Sequence, residues 1–274
     1  MDSVAEHYSH GRLLDAIFDA LRAQGKDLDA LTPDDLAGVD EFHIRGREAT
    51  VELAELAGVT AADRVLDIGS GLGGSTRYLA ANHGCRVTGV DLTPEYCDVA
   101  TELSRKVGLA DRVEFHCASA LETPFEDGAF DLAWTQHVQM NIEDKAALYR
   151  EVHRVLKPGG RFVLHDILAG PVQPARYPTH WAEREEMSFL IAPEDLRALL
   201  EECGFRVKAW RDTTQVSHDW YLAAVARAER DGPPPLGLHL LLGETAGEKI
   251  GNVGRNLDER RLTVCQALLE SRGS

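Results

Sequence analysis

From Arg64 onward, short apolar runs alternate with stretches whose apolar residues recur at helical spacing. RVLDI, RVTGVD, VEFHC, DLAWT and RFVLHDI read as strands, and the stretches between them read as helices. This alternation predicts an α/β fold, a parallel sheet with helices on both faces. Punctuation sharpens the boundaries. Thr93 before Pro94 predicts an N-cap and a first helical residue, opening a helix that runs to about Val107. Lys157-Pro158-Gly159-Gly160 is expected to stop a helix of about Asp144 to Leu156 and to turn the chain into a strand from Arg161 to Ile167. Ala192-Pro193 opens the amphipathic stretch EDLRALLEECGF, with Gly204 as its stop.

Two regions stand outside the alternation. Near the N-terminus, Leu13, Leu14, Ile17, Phe18 and Leu21 form one apolar helical face, and Thr32-Pro33 caps a short helix before EFHIRGREATVELAELAGV. The second region, about 215–261, follows a strand over 205–213. It reads as the helix HDWYLAAVARAER, a break at Pro233-Pro234-Pro235, and the helical stretch LGLHLLLGETAGEKIGNVGRN before a last strand at about 261–269. The expected organisation is an N-terminal helical cap over 1–60 and a main domain over 61–274 carrying a helical insertion at about 215–261. An insertion this late in the sheet is placed to form a lid over the strands' C-terminal edge, where open α/β sheets bind ligands.

Composition narrows the partners. The chain has 274 residues, 44% of them hydrophobic, enough for a sizeable core, and no run approaches the ~18 apolar residues of a membrane helix. MDSVAEHYSHGR lacks the basic and then apolar segments of a signal peptide. Five cysteines without CxxC or Cys/His ligand spacing suit reduced thiols in a cytoplasmic protein. A formal net charge of −16 argues against nucleic acid and suits a small, neutral or cationic substrate. No membrane partner is expected.

The candidate chemistry begins at Val65, where VLDIGSGLGGST joins an apolar strand to a glycine-rich turn and a helix start. Glycines accept φ > 0 and let main-chain amides approach a ligand, and the following helix aims its free N–H groups at the same place. Gly69, Gly71 and Gly74 satisfy the dinucleotide pattern G-x-G-x-x-G, while Asp67 with Gly69, Gly71 and Gly73 satisfies D-x-G-x-G-x-G. Asp91, ending the next strand, suits ribose hydroxyls in either case. The turn by itself indicates a nucleotide without choosing between the two.

FEDGAFDLAWTQ and EVHRVLKPGGRFVLHD follow at the spacing of successive αβ units. With the glycine turn, this set resembles class I S-adenosylmethionine (SAM)-dependent methyltransferases of the small-molecule branch, over about Val51 to Arg211. The chain is similar there to glycine, sarcosine and dimethylglycine N-methyltransferases and to natural-product methyltransferases. The resemblance implies a Rossmann-like fold with a seven-stranded, mostly parallel sheet, and SAM as cofactor with S-adenosylhomocysteine as product. It implies that the turn at Gly69, Gly71 and Gly73 packs on the amino-acid and ribose part of SAM, with Asp67 orienting the turn or accepting from the ligand's ammonium. Asp91 would accept from the ribose hydroxyls, and Leu92 would sandwich the adenine. Ser119 stands where the family usually has an aspartate for the adenine amino group, which puts the adenine contacts on its hydroxyl or on the Ala120 N–H. His43, in FHIRGREAT, matches the segment that closes over the methionine end of SAM, or else caps a surface turn. Gln136 is counted with the cofactor residues.

Methyl transfer needs a nucleophile aligned about 3–3.5 Å from the sulfonium methyl in a site that keeps water out. A base is needed only where the attacking group must lose a proton. His137, just after the fourth strand, is the candidate base or substrate-orienting group, with plain packing beside the cofactor as its alternative. Asp166 is the second catalytic candidate. It neighbours His165, so the two are expected on opposite faces of the strand. Tyr177, His180 and Trp181 from the YPTHWA loop, with Trp220 and Asn252 from the insertion, are candidates for the substrate wall, where ordinary core packing is the competing reading. No Asp/Asp/Asn set for a metal is recognisable, and none is expected. The expected activity is methylation of a small-molecule acceptor at N or O, with C as a further option, by a chain able to form a homodimer. The alternatives are a SAM-binding module without activity and an NAD-dependent oxidoreductase.

Overall fold

Each apolar run flanked by a glycine turn or a capped helix forms a strand. In the computed structural model, which describes residues 12–232 and 234–273, these are β1 (Arg64–Ile68), β2 (Arg86–Asp91), β3 (Val113–Cys117), β4 (Phe130–Gln136), β5 (Leu156–Ala169), β6 (Phe205–Asp212) and β7 (Leu262–Ser271). They make one seven-stranded sheet in the order β3-β2-β1-β4-β5-β7-β6. Pairing is parallel from β3 to β5, and β7 runs antiparallel to both β5 and β6. The mostly parallel sheet implied by the resemblance is the one observed. Strand order reverses between β1 and β4, which leaves a crevice at their C-terminal ends. The reading of the N-terminus as lacking a leader falls on residues 1–11, which with Pro233 of the proline run lie outside the described residues.

The helices are α1 (Leu13–Ala23), α2 (Gly46–Ala57), α3 (Gly74–His83), α4 (Pro94–Lys106), α5 (Lys145–Val155), α6 (Pro193–Glu202), α7 (Thr214–Asp231) and α8 (Ala246–Asp258), with single turns at Ala37–Asp40 and His239–Leu242. Side chains alternate across a strand, so each strand feeds two cores. Phe162 and Leu164 of β5 pack with Leu148, Val152 and Val155 of α5 and with Leu196 and Leu200 of α6. Val163, between them, packs with Leu53 and Ala57 of α2 and Leu79 and Ala80 of α3.

Two differences from expectation bear on how the site is framed. Strand β5 begins at Leu156 rather than Arg161: Phe130 pairs with Leu156 and Leu132 with Arg161, so residues 157–160 bulge out of register. The proline and glycines interrupt the ladder without ending the strand. Helix α2 falls within the expected cap of 1–60 but covers the sheet, with Leu53, Ala54 and Ala57 against Val65, Leu132 and Trp134. What stands over the sheet's edge is the segment before α2. Its Leu13, Ile17, Leu21, Leu36 and Val39 share a core with Leu236 and Leu241 of the late insertion and with Leu72 of the glycine turn. Both irregular regions therefore meet above the turn.

Candidate active site

The glycines of the turn meet different demands. Gly69 and Ser70 donate their N–H groups to Val90 O at 2.8 and 3.0 Å, fastening the turn to β2. A Cβ on Gly69 would lie 2.4 Å from Val138, one on Gly73 2.6 Å from Phe115, and one on Gly74 2.2 Å from Asp40 O. Gly71, at φ +54°, would meet nothing within 4 Å, and it lines the cavity above the turn. Gly69, Gly73 and Gly74 thus leave no room for a side chain, while Gly71 does. Gly73, expected to touch the cofactor, is off the cavity wall because its α-carbon faces Phe115 and Arg77.

Two carboxylates flank the turn. Asp91 accepts from Gly71 N–H and Thr93 N–H, each at 2.9 Å, one on each oxygen. Every carboxylate oxygen has a second lone-pair site, so Asp91 can hold the turn and still receive hydroxyls. The Thr93 side chain makes no capping bond, and its N–H goes to Asp91 instead. Asp67 is buried and accepts from Thr76 Oγ1 at 2.7 Å. Burial, with the charge of Asp91 adding to it, pushes Asp67 up to about 7. A cation beside it would restore its ionised form.

The cavity holds about 750 Å³ and runs from this turn past the end of β4 to the loop that follows β5. Asp67, Gly69, Gly71, Asp91, Leu92, Ser119 and Ala120 line its turn side. His43, Gln136, His137, His180 and Trp181 line the remainder. Trp134 and Gln136 are two apart on β4 and share a face, and Trp134 Nε1–H donates to Gln136 Oε1 at 2.9 Å. Ser75 Oγ donates to the same oxygen, which turns the amide nitrogen toward His43 Nε2 at 2.9 Å. His43 Nε2 also lies 3.0 Å from Gly46 O and 3.1 Å from Thr50 Oγ1. His43 therefore belongs to a network joining the cap, the glycine helix and β4, rather than to a surface turn.

His137 has φ +54°, an unusual conformation for a residue with a side chain. Its N–H donates to His165 O at 2.9 Å and its ring stacks on that of His165, centroids 5.0 Å apart. Its ring also meets that of His43 edge-on at 5.9 Å. Backbone strain held by its surroundings at a cavity wall is a common mark of a functional residue. Burial pushes the ring protonation down to about 4 in His43 and about 3 in His165, and well down in His137, where the neighbouring histidines add to the effect. His180, which stacks on Phe42, is pushed down to about 4 by burial. Burial thus favours the uncharged form of all four rings.

Asp166 does not line this cavity. It is 1% exposed and accepts from Ile167 N–H at 3.1 Å and Gln139 N–H at 3.4 Å, with burial pushing it up to about 7. As expected from strand geometry, His165 turns the other way, toward Ile44 O at 3.0 Å, and it too is off the wall. Asp166 instead helps hold the segment after β4. Lys145, donating to Gln139 O and Ile142 O at 2.7 Å, holds it as well.

Three substrate candidates are also off the wall. Tyr177 and Trp220 pack in the apolar cluster behind Trp181, as the packing reading had it. Asn252 donates to Pro178 O at 3.0 Å, and Asn256 brackets Arg176 through its N–H and O at 2.7 and 2.9 Å. Helix α8 thereby ties down the loop that presents His180 and Trp181. The sequence reading passed over Phe42, Tyr96, Phe189 and Leu241, which line the cavity. Phe42, Tyr96 and Leu241 lie inside stretches singled out above, and Phe189 lies beyond the YPTHWA loop; none carried a local signal for the cavity, because distant chain segments bring them together. Among the described residues, no group of three or more His, Cys, Asp or Glu is arranged to hold a metal ion.

The profile of the methyltransferase-domain family matches residues 66–164. The chloroplastic tocopherol O-methyltransferase of Arabidopsis thaliana is 38% identical over 128 residues, covering 43% of this chain and 37% of that one. The chain thus spans under half the length of that relative. The 27-O-demethylrifamycin SV methyltransferase of Amycolatopsis mediterranei is 31% identical over 190 residues, covering 66% of this chain and 70% of that enzyme. Among solved structures, the geranyl diphosphate C-methyltransferase of Streptomyces coelicolor superposes with a TM-score of 0.71 at 18% identity, over 98% of this chain and 97% of that one, a likeness of fold.

Proposed function

The chain belongs to the SAM-dependent methyltransferases, and we propose that it moves a methyl group from SAM to a small-molecule acceptor. One observation carries the reading: a single cavity joins the glycine turn and Asp91 to the strained His137 and the His180–Trp181 loop. The donor set suits the cofactor. Gly71 leaves its Cβ space open to the cavity, Asp91 keeps free lone pairs, and the buried Asp67 faces a site where a cation would ionise it. SAM supplies an already activated sulfonium methyl when bound.

The chain's own residues then have three tasks. Asp91 binds the ribose hydroxyls and Asp67 the ammonium, while Leu92, Ser119 and Ala120 frame the adenine. His43 and Gln136 close over the methionine end. His137 orients the acceptor and takes its proton where the attacking group has one to lose. Phe42, His180 and Trp181 shape the acceptor's side and keep water out. The five cysteines are all free, which supports a cytoplasmic setting.

Paired substitutions test the reading. Asp91→Ala should weaken SAM binding by more than about tenfold, the loss of a bidentate charged contact, with the thermal transition of the free protein retained. His137→Ala should lower turnover more than SAM affinity. Wild-type protein stabilised by NAD but not by SAM would point to the oxidoreductase alternative, and SAM binding with no acceptor turned over would point to the inactive module.

A further inference from the structure

The charge on the cavity wall is one-sided. Asp67, Asp91, Glu143 and Asp144 line it, the last two exposed, while Asp40 is neutralised by its ion pair with Arg77, and no Lys or Arg lines it among the described residues. Residues 1–11, which lie outside the description, contain no Lys or Arg either. The cations nearest to hand are committed elsewhere. Arg77 is fully buried against Asp40, Arg47 pairs with Glu41, Lys249 pairs with Glu183 at 2.6 Å, and Lys145 donates to two backbone carbonyls. Burial favours the uncharged form of the four histidines at or behind the wall. Beside Asn141 and the histidines, the acceptor side is apolar, with Phe42, Met140, Ile142, Trp181 and Phe189.

Moving an anion from water into such a wall strips its hydration and returns no ion pair, while the carboxylates repel it. SAM suits the same field, because its sulfonium and ammonium outweigh its single carboxylate. We propose that the acceptor carries no negative charge: it is an apolar-bodied molecule without phosphate or carboxylate, seated between Phe42, Met140, Trp181 and Phe189. This rests on the methyltransferase reading and narrows it to a substrate class.

The test uses the full chain loaded with S-adenosylhomocysteine and three probes of one skeleton: naphthol, naphthoic acid and naphthyl phosphate. Calorimetric titration should show naphthol binding at least about tenfold more tightly than either anion, the scale expected when a charge is desolvated without a partner. Phe189→Arg, a change at a half-buried wall position, should narrow or reverse that ratio for naphthoic acid. Naphthol binding no better than the two anions, or not at all, would overturn the proposal. A protein that fails to bind S-adenosylhomocysteine before any probe is added would instead remove the methyltransferase reading, and titrating the probes into the unloaded chain keeps the two results apart.

Discussion

Gly69 and Gly71 sit two residues apart and answer to different partners. A methyl at Gly71 meets only open cavity and a left-handed backbone, whereas one at Gly69 collides with Val138, next to His137. Gly71→Ala is therefore expected to weaken SAM binding while acceptor KM holds, with a backbone penalty of about 1–2 kcal/mol. Gly69→Ala should damage both, and parallel calorimetry and steady-state kinetics distinguish the two patterns. Asp67 couples cofactor binding to pH. Its folded-state titration lies at about 7, above the ordinary 3.8, so between those values the folded chain holds a proton that the unfolded chain has released. Its contribution to stability accordingly falls as pH rises through that window. Binding of a cation favours the ionised form, so SAM affinity should rise from about pH 6 to about pH 8, by at most about tenfold per unit, and then level off. Asp67→Asn should flatten that rise. A wild-type affinity independent of pH would remove Asp67 from the cofactor's ammonium.

At the scale of elements, the segment before α2 is stapled to α3 by a buried pair. Arg77, on α3, donates to Asp40, Ala100 O and Ser104 Oγ, and Gly74 lets the Asp40 backbone lie directly against the helix start. Burial pushes Asp40 up to about 6 even with Arg77 beside it, so the desolvation is substantial. Breaking a buried pair by removing one partner costs about 3–5 kcal/mol, because the other charge is left uncompensated. Arg77→Ala should show that loss in denaturant unfolding. Replacing both Asp40 and Arg77 with apolar residues should recover much of it. A loss below about 1 kcal/mol for the single change would mean the pair is not buried in solution. The same logic gives α8 its part: Asn252 and Asn256 sit on one helix face and hold the backbone at Arg176 and Pro178.

At the scale of the whole molecule, the cavity is roofed by segments nearly two hundred residues apart in the chain. Leu36 and Val39 come from the N-terminal region, Leu236 and Leu241 from the late insertion, and Leu72 from the turn beneath them. A ligand in the cavity would touch the sheet and both roof segments, so binding should couple them. Hydrogen exchange is expected to slow on adding S-adenosylhomocysteine in the turn and in both roof segments together. At a hundredfold excess over Kd the global gain is about 2.7 kcal/mol. Slowing confined to the turn would show that the roof does not respond to the cofactor.

Local rules acting on neighbouring residues wrote much of this protein in advance. The strands, the capped helices, the glycine turn and Asp91 follow from patterns a few residues long, and such patterns need no knowledge of the rest of the chain. The same patterns could not tell which glycines serve packing, because only the folded neighbours Val138, Phe115 and Asp40 make that distinction. Nor could they place Asp166 behind the site, Asn252 under a loop, or Tyr96 and Leu241 on the wall. Those positions depend on which distant segments meet, and the meeting is decided by burial summed over the whole molecule. The glycine turn of the proposed donor site was legible because it is built from one strand end and the residues that follow it. The rest of the cavity wall is assembled from separate stretches, and the charge it presents appears only once they are brought together.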